Sequence, residues 1–146
     1  MSVRPPLHRP AEMGDGDAEL LEAARRLLAD AYEPDRHEVA SAFRLGDGEL
    51  VTGLHVDGSA RRSAVCAEGV AAGNAFAHAA GKPFEVVSIV SVLRRADGAE
   101  HVIEPCGVCA EMLGDYWPDA VVWVTSGDRI QPTTVAALLP ARRRHW

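Results

Sequence analysis

Strand-like and helical patterns alternate along this chain, and the alternation constrains its fold more than any other feature. Two apolar runs, 39–45 and 49–56, flank the turn sequence Gly46-Asp47-Gly48 and predict a β-hairpin. Residues 86–93 and 120–125 are rich in β-branched side chains and predict two further strands. Helical patterns lie before, between and after these runs: from Asp17 to Pro34, 65–80, 107–116 and, for a turn or two, 133–139. Helices interleaved with strands predict an α/β fold in which a mixed sheet carries helices on its faces.

The chain has the length of one domain and is predicted to begin with a short leader. Residues 1–16 contain three prolines and two glycines and show no apolar period, so we expect a flexible segment there. No internal repeat interrupts residues 17–146, which are predicted to form a single domain of ordinary size. The first helix carries apolar residues at helical spacing: Leu20, Leu21, Ala24, Leu27, Leu28 and Ala31.

Composition and charge argue against several classes of protein. Lys and Arg total 15 and Asp and Glu total 21, which gives a formal net charge of −6. Such an acidic chain lacks the basic footprint of a nucleic-acid-binding domain. No apolar stretch approaches the roughly 18 residues of a membrane span, and the N-terminal residues lack the apolar core of a signal peptide. We therefore expect a cytoplasmic protein with no nucleic-acid or membrane partner.

Three cysteines need an explanation, because an odd number cannot all pair in disulfides within one chain. Cys106 and Cys109 form a Cys-x-x-Cys pair directly behind Pro105. By itself this pair fits three interpretations: half of a zinc site, a redox dithiol, or two small buried residues.

A third thiol and a nearby carboxylate favour the zinc interpretation. Cys66, like the Cys-x-x-Cys pair, opens a predicted helix, where the helix dipole and free N–H groups favour a thiolate. Three thiolates would hold one Zn²⁺ per chain and leave its fourth position open for water, as in catalytic sites. Glu68 lies two residues from Cys66 and is placed to take a proton from that water and pass it to a substrate.

The same residues resemble a known enzyme signature. Cys66-Ala67-Glu68 and Pro105-Cys106-Gly107-Val108-Cys109 match the pattern His/Cys-x-Glu … Pro-Cys-x-x-Cys of zinc-dependent deaminases. Ala31-Tyr32-Glu33-Pro34 is similar to an Ala-Tyr-x-Pro segment of the cytidine deaminase superfamily, in its small branch with three cysteines. Thr52-Gly53 stands where the nucleoside enzymes of that branch carry Thr-Gly-Cys-Asn-x-Glu-Asn, with Gly53 thirteen residues before Cys66.

Other segments are similar to the blasticidin S deaminases of the same superfamily. These segments are Val39-Ala40-Ser41-Ala42, Gln131-Pro132-Thr133, Leu138-Leu139-Pro140 and the terminal Trp146. The resemblance therefore runs from about residue 17 to the end of the sequence.

The resemblance implies a three-layer α/β/α sandwich that assembles as a homotetramer or homodimer. It implies that Cys66, Cys106 and Cys109 bind Zn²⁺ and that Glu68 is the catalytic proton shuttle. The implied reaction is hydrolytic deamination of a small-molecule cytosine nucleoside, or of a cytosine nucleoside antibiotic, with release of ammonia. The resemblance also implies contacts with the substrate from residues at pocket positions: His37, Val39, His55, Asp57, Ala67, Pro105 and Trp146.

Several of these positions depart from the family pattern. His55 and Asp57 replace the Asn and Glu that hold the ribose hydroxyls in the nucleoside enzymes, and His37 replaces an aromatic residue of the base pocket. Gly69 replaces an Arg that offsets the charge of three thiolates, so the helix N-termini or the arginine pair 61–62 must supply that charge. These departures motivate a rival hypothesis, a zinc-stabilised binding protein without catalysis. A redox dithiol protein is a third hypothesis, which the absence of zinc would favour.

Overall fold

A computed structural model describes residues 3–143, and within them a six-stranded mixed sheet is combined with four α-helices. The strands are β1 (Val39–Leu45), β2 (Leu50–Leu54), β3 (Val86–Arg94), β4 (Glu100–Ile103), β5 (Val121–Ser126) and β6 (Arg129–Thr134). The helices are α1 (Asp15–Ala31), α2 (Ala67–Ala79), α3 (Gly107–Tyr116) and α4 (Val135–Leu138), with a 3-10 turn at Arg61–Ser63.

The sheet places β3 at its centre. The strand order is β2-β1-β3-β5-β6, and β4 pairs with β3 beside β5. The predicted hairpin is formed by β1 and β2, and β1 then pairs antiparallel with β3. The pairing of β3 with β5 is parallel, so the sheet is mixed, as predicted. The carboxyl end of β3 is consequently flanked by β1 on one side and by β4 on the other.

Each face of the sheet carries its own apolar core. Successive side chains of a strand point to opposite faces, and β1 follows this rule: Ala40 and Ala42 pack towards α1, while Phe43 packs towards α2 and α3. The α1 core includes the buried stripe Leu20, Leu21, Ala24 and Leu28. The opposite core includes Ala71, Ala75, Ile89, Leu113 and Trp117. This arrangement confirms the predicted three-layer α/β/α sandwich.

Two short strands are additional to the predicted ones. β4 contains the polar residues Glu100 and His101, so its sequence carries little strand signal. β6 contains Pro132, which lacks the N–H needed for pairing in the middle of a sheet. Proline is tolerated there because β6 pairs only with β5, at the edge of the described sheet.

The described part of the predicted leader packs on the domain. The Leu7 N–H donates to the Glu100 carbonyl at 2.9 Å, and His101 Nδ1–H donates to the Pro5 carbonyl at 2.9 Å. Met13 is 2% exposed and belongs to the α1 core. The segment therefore covers β4, whose backbone groups need partners.

Helix α1 begins at Asp15, two residues before the predicted N-cap Asp17. The Asp17 carboxylate instead accepts a hydrogen bond from Trp123 Nε1 at 2.8 Å, which ties α1 to β5. No helix within residues 3–143 combines the length and the apolar composition needed to cross a membrane.

Candidate metal centre and catalytic site

The three cysteines meet where two helices begin. Cys66 is the N-cap residue of α2, Cys106 is the N-cap residue of α3, and Cys109 lies in the first turn of α3. The Sγ atoms of Cys66 and Cys106 are 3.7 Å apart, and all three Sγ atoms lie within 4.8 Å of one another. Residues 40 positions apart in sequence thus present their thiols to one point.

This cluster fits a tetrahedral zinc ion. Zn–S bonds of about 2.3 Å place the sulfur ligands of a tetrahedral zinc about 3.8 Å apart. The Cys66–Cys106 separation agrees with that value, and the third sulfur lies close enough to complete the same set. Soft thiolate ligands favour zinc over hard cations such as Mg²⁺ or Ca²⁺. The three thiols could therefore hold a zinc ion and leave its fourth position open.

The electrostatic environment differs among the three thiols. Burial, followed by the charge of Glu68, raises the pKa of the Cys109 thiol far above its usual range. Burial and the hydrogen bond with Cys106 raise the pKa of Cys66. Burial alone would also raise the pKa of Cys106, but hydrogen bonds lower it below its usual range. These bonds come from the backbone N–H groups of Cys109 and Val108 and from the thiols of Cys66 and Cys109. Backbone N–H groups in the first turn of α3 therefore favour the thiolate form of Cys106.

Glu68 is a buried carboxylate beside these thiols. It lies in the first turn of α2 and is 3% exposed. A negative charge is favourable in the first turn of a helix. Its Oε1 accepts a hydrogen bond from Ser91 Oγ at 2.9 Å. A carboxylate held next to an open metal position can exchange a proton with a molecule bound there.

The structure adds two residues that sequence reasoning did not assign to the site. Ser91 of β3 contacts Glu68, and Ser41 of β1 contacts Ser91. The sequence does contain a weak signal, because Ser41 and Ser91 are polar residues within otherwise largely apolar strands, although Ser88 of β3 is polar and buried as well. The pairing of β1 with β3 is needed to place the two serines together.

Comparison with known proteins identifies the family. No protein-family model matches the chain. The chain is 32% identical over 128 residues to blasticidin-S deaminase of Bacillus cereus, and the alignment covers 86% of this chain and 91% of the relative. It is 31% identical over 125 residues to cytidine deaminase of Halalkalibacterium halodurans, and that alignment covers 83% of this chain and 89% of the relative. The chain belongs to the cytidine deaminase superfamily.

A solved structure of the cytidine deaminase superfamily has the same fold. The cytidine deaminase from Burkholderia pseudomallei superposes with a TM-score of 0.70 at 30% sequence identity. The superposition covers 88% of this chain and 98% of that chain. The match therefore spans nearly the whole of the known domain.

Three of the predicted substrate-contacting residues lie together at one end of the β1–β2 hairpin. Val39 begins β1, and its carbonyl accepts a hydrogen bond from the His55 N–H at 2.8 Å. His37 Nδ1 is 2.9 Å from the His55 carbonyl. Because a carbonyl only accepts, this contact needs a proton on Nδ1, and in the neutral ring Nε2 is then an acceptor. His55 Nδ1 is buried and has no partner among the described residues.

Of the other predicted substrate-contacting residues, Ala67 and Pro105 lie outside this end of the hairpin. Ala67 is the fully buried first residue of α2, and Pro105 is buried immediately before Cys106. Asp57 follows the hairpin and is half-buried. Trp146 lies outside the described residues. Ala67 and Pro105 are thus next to the thiols in the chain, while His37 and His55 lie at the end of the hairpin.

An ion pair ties the N-terminal segment to the loop before the thiol cluster. Arg4 donates from both terminal nitrogens to Glu104, with Nη1 2.8 Å from Oε2. The Arg4 guanidinium lowers the pKa of the Glu104 carboxyl. Glu104 directly precedes Pro105 and Cys106, so this contact restrains the loop that carries one of the thiols.

Replacing Arg4 by alanine is expected to destabilise the protein at neutral pH by about 0.5–1 kcal/mol, since both side chains are about one-third exposed. The pKa of Glu104 is lowered in the folded state, so its contribution is present above the unfolded pKa of about 4.3 and is lost as pH falls through the folded pKa. The free energies of unfolding of R4A and wild type, measured in urea, should therefore differ at pH 7 and converge in acid.

Arg26→Ala, at an exposed position of α1, is the control for this experiment. Equal stability of R4A and wild type at pH 7 would contradict the ion pair's role.

Proposed function

We propose that this chain is a zinc-dependent hydrolytic deaminase that acts on a cytosine nucleoside, such as cytidine or deoxycytidine, or on a cytosine nucleoside antibiotic resembling blasticidin S. The observation that carries the proposal is the buried Glu68 carboxylate beside three thiols whose sulfur atoms lie within 4.8 Å of one another. The relatives named cytidine deaminase and blasticidin-S deaminase support this choice of substrate class.

In this proposal Cys66, Cys106 and Cys109 hold the zinc ion. When bound, zinc supplies Lewis-acid activation of a water molecule. Glu68 takes one proton from the attacking water and delivers it to N3 of the cytosine ring, while the water oxygen forms a bond to C4. Glu68 then moves the second proton to the amino group, and the C4–N bond breaks. One water is consumed, one ammonia is released, and the ring becomes uracil.

The burial of Glu68 supports its role as the proton carrier. A carboxylate that is 3% exposed is shielded from bulk water, and its charge acts at close range on groups beside it. The helix N-terminus that carries Glu68 also carries Cys66, so the proton carrier and the proposed metal share one rigid element.

Recognition of the substrate is proposed for His37, Val39, His55, Asp57, Ala67, Pro105 and Trp146. The free Nε2 of His37 can accept a hydrogen bond from an amino or hydroxyl group. The unpartnered His55 Nδ1 is a second polar atom that a ligand could satisfy. These two histidines differ from the residues of the nucleoside enzymes, so they are the positions from which an altered sugar preference would arise.

Self-assembly into a homotetramer or homodimer is a further part of the proposal. Large apolar side chains remain exposed on α2 and α3 of the single chain, namely Phe76, Tyr116 and Val108. Exposed apolar groups concentrated on neighbouring helices are typical of protein–protein contacts.

The test is a panel of cytidine, deoxycytidine, cytosine and blasticidin S, followed by the absorbance change that accompanies deamination. We expect turnover of at least one nucleoside and metal analysis showing about one zinc per chain. Zinc bound without turnover of any compound would contradict the catalytic role and favour a zinc-stabilised binding protein. Freshly purified protein without zinc would contradict the metal assignment and favour a redox dithiol.

A further inference from the structure

A pair of buried serines leads from the sheet to the Glu68 carboxylate. Ser41 of β1 and Ser91 of β3 are directly opposite each other in the antiparallel pairing. They are 0% and 1% exposed, and their hydroxyl oxygens lie 2.9 Å apart. The same Ser91 oxygen is 2.9 Å from Glu68 Oε1. The three side chains therefore form a continuous line of oxygen atoms between β1, β3 and α2.

The hydrogen atoms of this line have one consistent arrangement when Glu68 is ionised. A carboxylate only accepts hydrogen bonds, and each hydroxyl donates one hydrogen. Ser91 must then donate to Glu68, and it accepts the hydroxyl hydrogen of Ser41. Ser41 in turn restricts the rotation of the Ser91 hydroxyl. The contact between the two serines therefore keeps the Ser91 hydrogen directed at Glu68.

Packing alone does not explain serine at these positions. The neighbouring side chains on the same face of β1 and β3 include Phe43 and Ile89, which belong to an apolar core. A buried hydroxyl without a partner is destabilising, so serine is favourable here because it has a partner. Among the described residues, Ser91 is the one side chain that hydrogen-bonds the Glu68 carboxylate.

The geometry points to Ser91 as a positioning residue for the deamination reaction: it holds Oε1 of Glu68 and so orients the carboxylate beside the thiols. This inference rests on the proposed function for the reaction, but its structural part depends only on the contact between Ser91 and Glu68. Ser91 touches neither the substrate nor the thiols in this scheme, and it acts through Glu68.

Ser91→Ala tests the inference against the matched control Ser88→Ala. Ser88 is a buried residue of the same strand, 3% exposed, and its hydroxyl has no partner among the described residues. For S91A we expect kcat to fall about 10- to 100-fold, the range found when the partner of a site residue is removed. We expect KM and zinc content to stay at the wild-type values, and S88A to retain the wild-type kcat.

A second variant and a structural measurement complete the test. Ser91→Cys nearly preserves the volume of the side chain but donates only a weak hydrogen bond, so kcat should fall in this variant too. It replaces S91A in the test if S91A does not fold. A crystal structure of S91A or S91C should show the Glu68 carboxylate displaced from its wild-type position. Wild-type kcat in the folded variants, an undisplaced carboxylate, or an equal loss in S88A would overturn the inference. If the wild-type protein deaminates no cytosine compound, the proposed function fails, while the position of Glu68 still decides the role of Ser91.

Discussion

Glu68→Gln is expected to reduce kcat by about 10³-fold while the protein stays folded and keeps its zinc. The amide has nearly the size of the carboxylate and can still accept the hydrogen bond from Ser91, so the packing around this 3% exposed side chain is retained. It cannot take up a proton at neutral pH and pass it on. Loss of one general acid–base group typically costs about 10²–10⁴-fold in rate. The measurement is the initial rate on the best compound of the substrate panel, with metal analysis of the same preparation.

Glu111→Gln is the matched control for this experiment. Glu111 is an exposed residue of α3, so its replacement makes the same chemical change away from the buried carboxylate. E111Q should keep the wild-type rate. Turnover by E68Q at the wild-type rate would remove Glu68 from the mechanism, whereas joint loss of zinc and activity would show that Glu68 acts on the metal centre rather than on the proton.

The parts of the fold that the sequence predicts are those with a strong local pattern. The apolar stripe of α1 has helical spacing, and β3 is a run rich in β-branched residues that is buried on both faces, so both can be recognised without knowing their neighbours. β4 has no such pattern, because it is held by contacts with residues distant in sequence. Among these are the Leu7 N–H at the Glu100 carbonyl and Thr125 Oγ1, which donates to the Val102 carbonyl at 2.6 Å.

A similar division applies to the candidate site. The thiols and Glu68 are recognisable because the spacing of Cys66-Ala67-Glu68 and Cys106-x-x-Cys109 reflects the first turns of two helices. Ser91 is not recognisable, since its relation to Glu68 depends on the register of β3 against β1 and on how α2 lies across that pair. The contact between Arg4 and Glu104 is a second long-range element, because it joins residues 100 positions apart.

Gly53→Ala is expected to destabilise the protein by about 3 kcal/mol, at the upper end of the usual cost of overpacking. A Cβ atom at Gly53 of β2 would lie 2.2 Å from the Ala71 nitrogen and 2.4 Å from the Ala67 carbonyl oxygen. Both contacts are with the backbone of α2, so no side-chain rotation can relieve them. Asn74 also donates to the Thr52 carbonyl at 2.7 Å, which holds the same helix against the same strand. The similarity of Thr52-Gly53 to the family motif therefore has a physical reason: only glycine lets β2 approach α2 this closely.

The clash in G53A also affects the candidate site, because α2 begins with Cys66 as its N-cap and carries Glu68 in its first turn. Urea unfolding should show the lower stability of G53A, and any folded fraction should bind zinc more weakly as its first α2 turn is displaced. Gly73→Ala is the control of opposite sign: Gly73 lies within α2, a Cβ there meets nothing within 4 Å, and alanine should stabilise the helix by roughly 0.5–1 kcal/mol. Equal unfolding free energies for G53A and wild type would mean that α2 moves away from β2 at no cost, and the close approach would then not be what positions Cys66 and Glu68.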